Sequence, residues 1–255
     1  MSDQDFHGKT VIITGASRGI GEASAHEFSN RGAAVVLLAR SEADIARIAG
    51  EIEGAGGKAL AQTCDVSRWA DMEAALEPTR EAFGEPDILV NNAGLIEPIA
   101  RLADSDPEGW DQVVDVNIKG VYHGLRAVLP AMAARRAGVV VNISSGAATN
   151  ALEGWSHYCA TKAAVLMLTQ CAHAEYAGHG VRIVGLSPGT VKTGMQVAIK
   201  ASGINPVSQM DPDAHIPPEW AAKAIAYLCT DGGARYAGGD MSLRDPDVRK
   251  AVGVA

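Results

Sequence analysis

Aromatic side chains are scarce in this chain: three phenylalanines, four tryptophans and five tyrosines make up 5% of 255 residues. Alanine and glycine are abundant instead, so close packing of backbones is expected. Basic charge is also in deficit. The formal net charge of −8 argues against nucleic acid or an anionic membrane surface as the main partner. No apolar run approaches the ~20 residues that a membrane span needs. The start, "MSDQDFHGKT", lacks the basic and apolar regions of a signal peptide. The four cysteines, Cys64, Cys159, Cys171 and Cys229, form no C-x-x-C pair, and a disulfide framework belongs to much shorter secreted chains. They are expected as small core residues in a reducing compartment, with the cytoplasm as the default. The seven histidines form no H-E-x-x-H or Cys/His cluster, so no catalytic metal is expected.

What is present is alternation. Short apolar runs at 10–14, 34–39, 58–64, 87–91, 138–143 and 181–186, with a weaker one at 238–243, are separated by helix-length segments at 19–31, 42–54, 68–83, 108–136 and 157–178. Runs this short and this continuously apolar fit strands buried on both faces. Strand and helix in turn predict an α/β fold: a Rossmann-like, doubly wound parallel sheet of about seven strands flanked by helices. No linker or repeat interrupts it, so residues 1–255 read as one domain. The stretch at 190–217, rich in Gly, Pro and Met, is expected to be a substrate lid or binding loop.

The first strand runs into "TGASRGIG", residues 14–21, with Gly15, Gly19 and Gly21 in the pattern G-x-x-x-G-x-G. Glycines there let a diphosphate approach the backbone, and the following helix offers N–H donors. An ordinary βα turn gives the same pattern. In such folds an acid at the end of the second strand holds the ribose 2′-hydroxyl of NAD. Here Ala39 and Arg40 occupy that position. Arg40 and Arg18 could hold the 2′-phosphate of NADP. The alternative is a solvated arginine ahead of a Ser41–Asp44 capping pattern. Further along, "HYCATK" (157–162) puts Tyr158 and Lys162 on one helix face. A cation beside a phenol favours the phenolate, although such pairs also arise by chance. His157 is expected to face solvent or to neighbour the substrate, because adjacent helix positions point apart.

Taken together, "TGASRGIG", "CDV" (64–66), "NNAG" (91–94), "VNIKG" (116–120), "NISSGAA" (142–148), "YCATK" and "SPGTVKT" (187–193) resemble the short-chain dehydrogenase/reductase family over nearly the whole chain. The resemblance implies a catalytic set of Asn117, Ser145, Tyr158 and Lys162. Ser145 is chosen over Ser144 because the family's serine lies thirteen residues before the tyrosine. Tyr158 would be the acid/base, Lys162 would lower its pKa and bind the nicotinamide ribose, and Ser145 would bind the substrate oxygen. Asn117 would hold a water linking Lys162 to solvent. The oxidised nicotinamide's charge would help ionise the phenol. The implied cofactor contacts are Gly15, Ser17, Arg18, Gly19, Ile20 and Gly21 in the turn, then Arg40, Asp65, Val66, Asn91, Ala93 and Gly94. Pro188, Gly189, Val191 and Thr193 would hold the nicotinamide, with Tyr158 and Lys162.

The expected activity is interconversion of a ketone and a secondary alcohol, with NADP(H) preferred over NAD(H) and a small carbonyl or alcohol as substrate. A 3-oxoacyl-thioester reductase, an NAD-dependent alcohol dehydrogenase and a non-catalytic NADP(H) sensor are the other readings. A lyase or epimerase is a further reading, disfavoured because such relatives usually belong to a longer branch with an extended C-terminal substrate region. Ile96, Ala147, Trp155, Thr190, Met195 and Met210, with Ser145, are expected around the substrate. Two departures from the family stand out: Val184 replaces an asparagine, and Pro246 with a charged tail replaces the usual Asp-Gly-Gly turn. The segments carrying Asn117 and Tyr158 usually build a dimer interface, so a homotetramer or homodimer is expected.

Overall fold

The structure, a computed structural model, describes residues 6–254. Seven parallel strands form one sheet in the order β3-β2-β1-β4-β5-β6-β7. They are β1 (Thr10–Thr14), β2 (Ala34–Ala39), β3 (Lys58–Thr63), β4 (Ile88–Asn91), β5 (Gly138–Ile143), β6 (Val181–Ser187) and β7 (Asp240–Ser242). β1, β2 and β4 are buried throughout, as their continuous apolar runs require. β3, at the edge, is not: its outer positions Lys58 and Thr63 are exposed. The strand order reverses between β1 and β4, and such a reversal opens a crevice at the carboxyl ends of the strands.

Helices cover both faces. α1 (Gly19–Asn30) and α2 (Glu42–Gly54) follow the first two strands. On α1, Phe28 is fully buried and meets Phe6 edge-on at 5.0 Å between ring centres, a pairing worth ~1 kcal/mol beyond its buried area. The expected helix at 68–83 is two, α3 (Trp69–Ala74) and α4 (Leu76–Phe83). The expected helix at 108–136 is also divided. α5 (Pro107–Val114) passes through a π-helical turn, Asp115–Lys119, into α6 (Gly120–Ala134). α7 (Ser156–Tyr176) lies against β5 and β6, burying His157, Tyr158, Thr161, Lys162, Val165, Thr169 and Ala172 along one stripe.

The segment at 190–217, expected as a lid or binding loop, is not irregular: it contains α8 (Gly194–Ser202) and two short 3₁₀ turns. α9 (Pro218–Leu228) packs on α1. Pro246 begins a final helix, α10 (Pro246–Val252), capped by the Asp245 carboxylate, which accepts from Asp247 N. Val248, Val252 and Val254 bury the tail against the core, and the Arg249 guanidinium lies 5.5 Å over the Trp220 ring. Val184 is fully buried. Of the four cysteines expected inside, Cys64 is buried and Cys171 is exposed. No helix among the described residues is long and apolar enough to cross a membrane.

Candidate active site

A cleft of about 520 Å³ runs along the carboxyl ends of the strands, from Arg40 at one end to Tyr158 and Lys162 at the other. Its floor is the glycine turn. Gly15 has φ +63°, a left-handed conformation suited to glycine, and a Cβ there would come within 2.8 Å of Ala93 Cα. A Cβ at Gly21 would lie 2.3 Å from Gly15 O, so both positions exclude a side chain. The residue preceding α1, Arg18, gives the helix no side-chain cap. The first N–H groups of α1 therefore remain free for an anionic ligand. Ser17, Arg18, Gly19 and Ile20 share this wall. These features fit the diphosphate of a dinucleotide.

At the outer end, Arg40 and Arg18 are exposed, and neither guanidinium has an ion-pair partner among the described residues. Ser41 does not cap α2 as its spacing suggested; its hydroxyl donates to Asp44 Oδ2 at 2.6 Å. Asp65 and Val66 line the opposite wall. Asp65 Oδ1 accepts from both Ser67 N at 3.0 Å and Ser67 Oγ at 2.7 Å.

Ala93 and Gly94 line the cleft, but the Asn91 side chain is turned into the sheet, where its Nδ2 donates to Asn142 Oδ1 at 2.9 Å. Asn142 Nδ2 donates in turn to Thr169 Oγ1 on α7 at 2.9 Å. This buried polar line ties β4 and β5 to the helix that carries Tyr158. Asn92, which sequence reasoning passed over, takes the place at the cleft: its Nδ2 donates to Thr14 O and Gly15 O at 2.9 and 3.0 Å. The doubled asparagine in "NNAG" was the available signal. Pro188, Gly189 and Val191 lie off the cleft wall, to which the 190–217 segment contributes Thr193, Gly194 and Met195.

At the inner end, Lys162 Nζ donates to Ile143 O at 2.6 Å and lies 5.6 Å from the centre of the Tyr158 ring. Burial pushes the Tyr158 phenol up to about 12, opposed by the neighbouring Ser145 hydroxyl. Burial brings the Lys162 ammonium down to about 8, opposed by Asp240. Both shifts disfavour charge, as expected for polar groups taken out of water. Ser145 Oγ also accepts from Ala147 N at 3.1 Å, which fixes its rotamer. Asn117 sits in the π turn, a backbone irregularity often found at functional sites. Three of the four hydrogen-bonding positions of its amide are engaged: Oδ1 accepts from Leu95 N at 2.8 Å, and Nδ2 donates to Leu95 O and Thr161 Oγ1 at 2.9 and 3.1 Å.

His157 does not face solvent. It is fully buried, and its Nε2 bonds Ile96 O at 2.6 Å, fastening the segment after β4 to α7. Ile96, Ala147, Trp155, Tyr158 and Ile199 form an apolar cluster, with Met195 packed against it. Trp155 meets the Tyr158 ring edge-on at 5.6 Å. Of the expected substrate residues, Ile96 and Met195 line the cleft and Ala147 and Trp155 stand behind it. Thr190 and Met210 belong to neither the cleft wall nor this cluster.

A parallel sheet with a diphosphate turn at its switch point, leading to a buried tyrosine and lysine, defines a nucleotide-dependent class of protein. The profile of the short chain dehydrogenases matches residues 9–202, and the chain belongs to that family of nicotinamide-dependent oxidoreductases. It is 36% identical to 3beta-hydroxysteroid dehydrogenase 1 of Eggerthella lenta, covering 94% of this chain and 95% of that protein. It is 31% identical to cyclohexanol dehydrogenase of an Acinetobacter species, over 89% of each. The crystal structure of 3-ketoacyl-(acyl-carrier-protein) reductase from Brucella melitensis, complexed with NADH, superposes with a TM-score of 0.82 at 32% identity, over 94% of this chain and 98% of that one.

Proposed function

We propose that the chain is an NADP(H)-dependent oxidoreductase that interconverts a ketone and a secondary alcohol, with Tyr158 as the acid/base. The observation that carries this reading is that Tyr158 and Lys162, spaced by one helical turn, stand at the inner end of the cleft whose floor is the glycine turn. Gly15, Ser17, Gly19 and Ile20 would hold the diphosphate, and Arg18 and Arg40 the 2′-phosphate. Asp65 and Val66 would lie beside the adenine, and Lys162 would hold the nicotinamide ribose. The bound nicotinamide supplies or accepts the hydride.

The protein's part is to place the substrate and move a proton. Ser145 Oγ would donate to the substrate oxygen as negative charge builds on it. Tyr158 Oη would give its proton in reduction and take one in oxidation. A phenol held at about 12 enters reduction fully protonated, and the Lys162 cation makes the phenolate that results less costly. Because both Asn117 Nδ2 hydrogens are spent on Leu95 and Thr161, any water that residue holds for the proton's return would donate to Asn117 Oδ1 or use the main chain of the π turn.

The apolar cluster around Tyr158 suits a substrate with hydrocarbon beside the reacting carbon. The names of the steroid and cyclohexanol relatives favour an alicyclic secondary alcohol or ketone. We place the whole chain in one dinucleotide-binding domain whose lid contains α8. Homo-oligomers would form through the faces of α6 and α7 that expose Tyr122 and Met167. The test is loss of NADPH or NADH absorbance with the purified protein and a panel beginning with cyclohexanone. Consumption is expected, faster with NADPH. Binding of nucleotide with no consumption of either form across the panel, and none formed from cyclohexanol, would instead make the chain a sensor.

A further inference from the structure

No motif marks Asp240, the carboxylate on β7. It stands opposite Gly185 in the β6–β7 register, and its Oδ2 accepts from Ser187 Oγ at 2.5 Å. Its other oxygen, Oδ1, is buried without a hydrogen-bond partner, as is the Ser144 hydroxyl just beyond β5. These two orphans are complementary, a donor and an acceptor, and the Ser144 hydroxyl favours the charged form of Asp240. A Cβ at Gly185 would lie 2.6 Å from Asp240 Oδ1. Glycine inside a strand weakens it and marks a close approach; here it makes room for the carboxylate.

The sheet register sets Asp240 in line with Gly185 and, one strand further, with Asn142, the residue before Ile143. Ser144 N donates to Leu186 O at 2.8 Å, which sets Ser144 beside β6. The preceding residue, Ile143, provides the oxygen that Lys162 Nζ holds at 2.6 Å. We propose that Asp240 is a positioning residue for the reaction: a half-buried carboxylate, held by Ser187 with the Ser144 hydroxyl as its complement, that serves as the counter-charge to Lys162. The proposal rests on the reading of Tyr158 and Lys162 as the proton-handling pair.

The surroundings leave that task to Asp240. On α7 the titratable neighbours are Tyr158, Cys159 and His157, and the imidazole is turned to Ile96 O. The π turn offers the Asn117 amide, and Gly94 offers main chain. Ser144 and Ser187, at the ends of β5 and β6, offer hydroxyls. Asp65, Arg40 and Cys64 line the cleft's other wall. On the β7 side, His173 packs against Gly238, and Arg244 is exposed. Among the described residues, Asp240 is the charged group whose field opposes the desolvation of Lys162, and Lys162 in turn helps keep Asp240 ionised against its own burial.

The experiment is a pH titration of the Lys162 side chain by NMR of protein carrying ¹³C-lysine, with Lys162→Arg to assign the resonance. Asp240→Asn and Ser187→Ala are compared with the unchanged protein. The Lys162 midpoint is expected to fall by about one unit, tenfold in proton affinity, in Asp240→Asn, and by less, in the same direction, in Ser187→Ala. The alkaline limb of NADPH-dependent cyclohexanone reduction should move with it. An unchanged midpoint in both variants overturns the proposal. A moved midpoint with an unmoved pH profile overturns the positioning role. A moved midpoint in a protein that consumes no nucleotide at all sinks the proposed function instead and leaves the electrostatic pairing standing. If circular dichroism shows that Asp240→Asn does not fold, Ser187→Ala decides: an unshifted midpoint there also overturns the proposal.

Discussion

Lys162 Nζ donates to the main-chain oxygen of Ile143 at 2.6 Å, so the ammonium of α7 is fastened to the end of β5 and not to a carboxylate. A buried cation whose hydrogen bond is to a carbonyl, with Asp240 as counter-charge but not as hydrogen-bond partner, is costly to fold around. Its pKa falls from 10.5 to about 8, which corresponds to about 3 kcal/mol at neutral pH. The lost hydrogen bond to Ile143 offsets ~1 kcal/mol of that on removal.

Lys162→Met is therefore expected to unfold at higher denaturant, by at most ~2 kcal/mol at neutral pH because Asp240 loses its counter-charge, while losing turnover. The sign follows from a depressed folded pKa. This group's contribution is fully present above its unfolded value, near 10.5, and is lost as pH falls through about 8. The gap between variant and unchanged protein should accordingly narrow from neutral toward alkaline pH. Guanidinium unfolding at several pH values checks this. A variant less stable at neutral pH would contradict it.

Arg40→Ala is expected to weaken NADPH binding about tenfold or more, the value of a charge-assisted hydrogen bond, and to leave NADH binding unchanged. Fluorescence titration with both nucleotides reads it. Equal losses for the two would mean that Arg40 does not meet the 2′-phosphate.

Asn205 anchors the proposed lid. It is buried, its Nδ2 donates to Glu153 O at 3.0 Å, and its Oδ1 accepts from Val207 N at 3.0 Å. Asn205→Ala breaks both bonds and should cost ~1–3 kcal/mol of local order. Steady-state kinetics should then show a several-fold rise in KM for the ketone, with nucleotide affinity kept. A rise in the nucleotide Kd alone would place the anchor on the wrong ligand.

Much of this was legible because it repeats at short range. Strands such as β1, β2 and β4 could be read from continuous apolar runs, since a strand buried on both faces has no other composition available to it, whereas β3, half-exposed at the edge, was read from a more mixed run. The glycine turn was legible from the spacing of its glycines, although Ala93, the neighbour that excludes a side chain at Gly15, is distant in sequence. What escaped depends on distant partners. Nothing in "DVNIK" announces a π turn, and the Asn117 amide finds Leu95 and Thr161 only after folding. The burial of His157 follows from a carbonyl sixty-one positions away, whereas helix geometry alone pointed it outward. Asn91 and Asn92 look equivalent in sequence, but the pleat sends one into the sheet and the other to the cleft. The lid's composition hid α8, whose apolar residues, such as Ile199, pack on the pocket cluster and not on the main core.

The most direct test of the account is turnover by Tyr158→Phe, measured as NADPH loss with cyclohexanone beside a binding titration. Removing the phenol oxygen takes away the proton donor and leaves the ring against Trp155. The account predicts a fall in kcat of ~10²–10⁴ with NADPH bound as tightly as before. Near-normal turnover in that variant would contradict it.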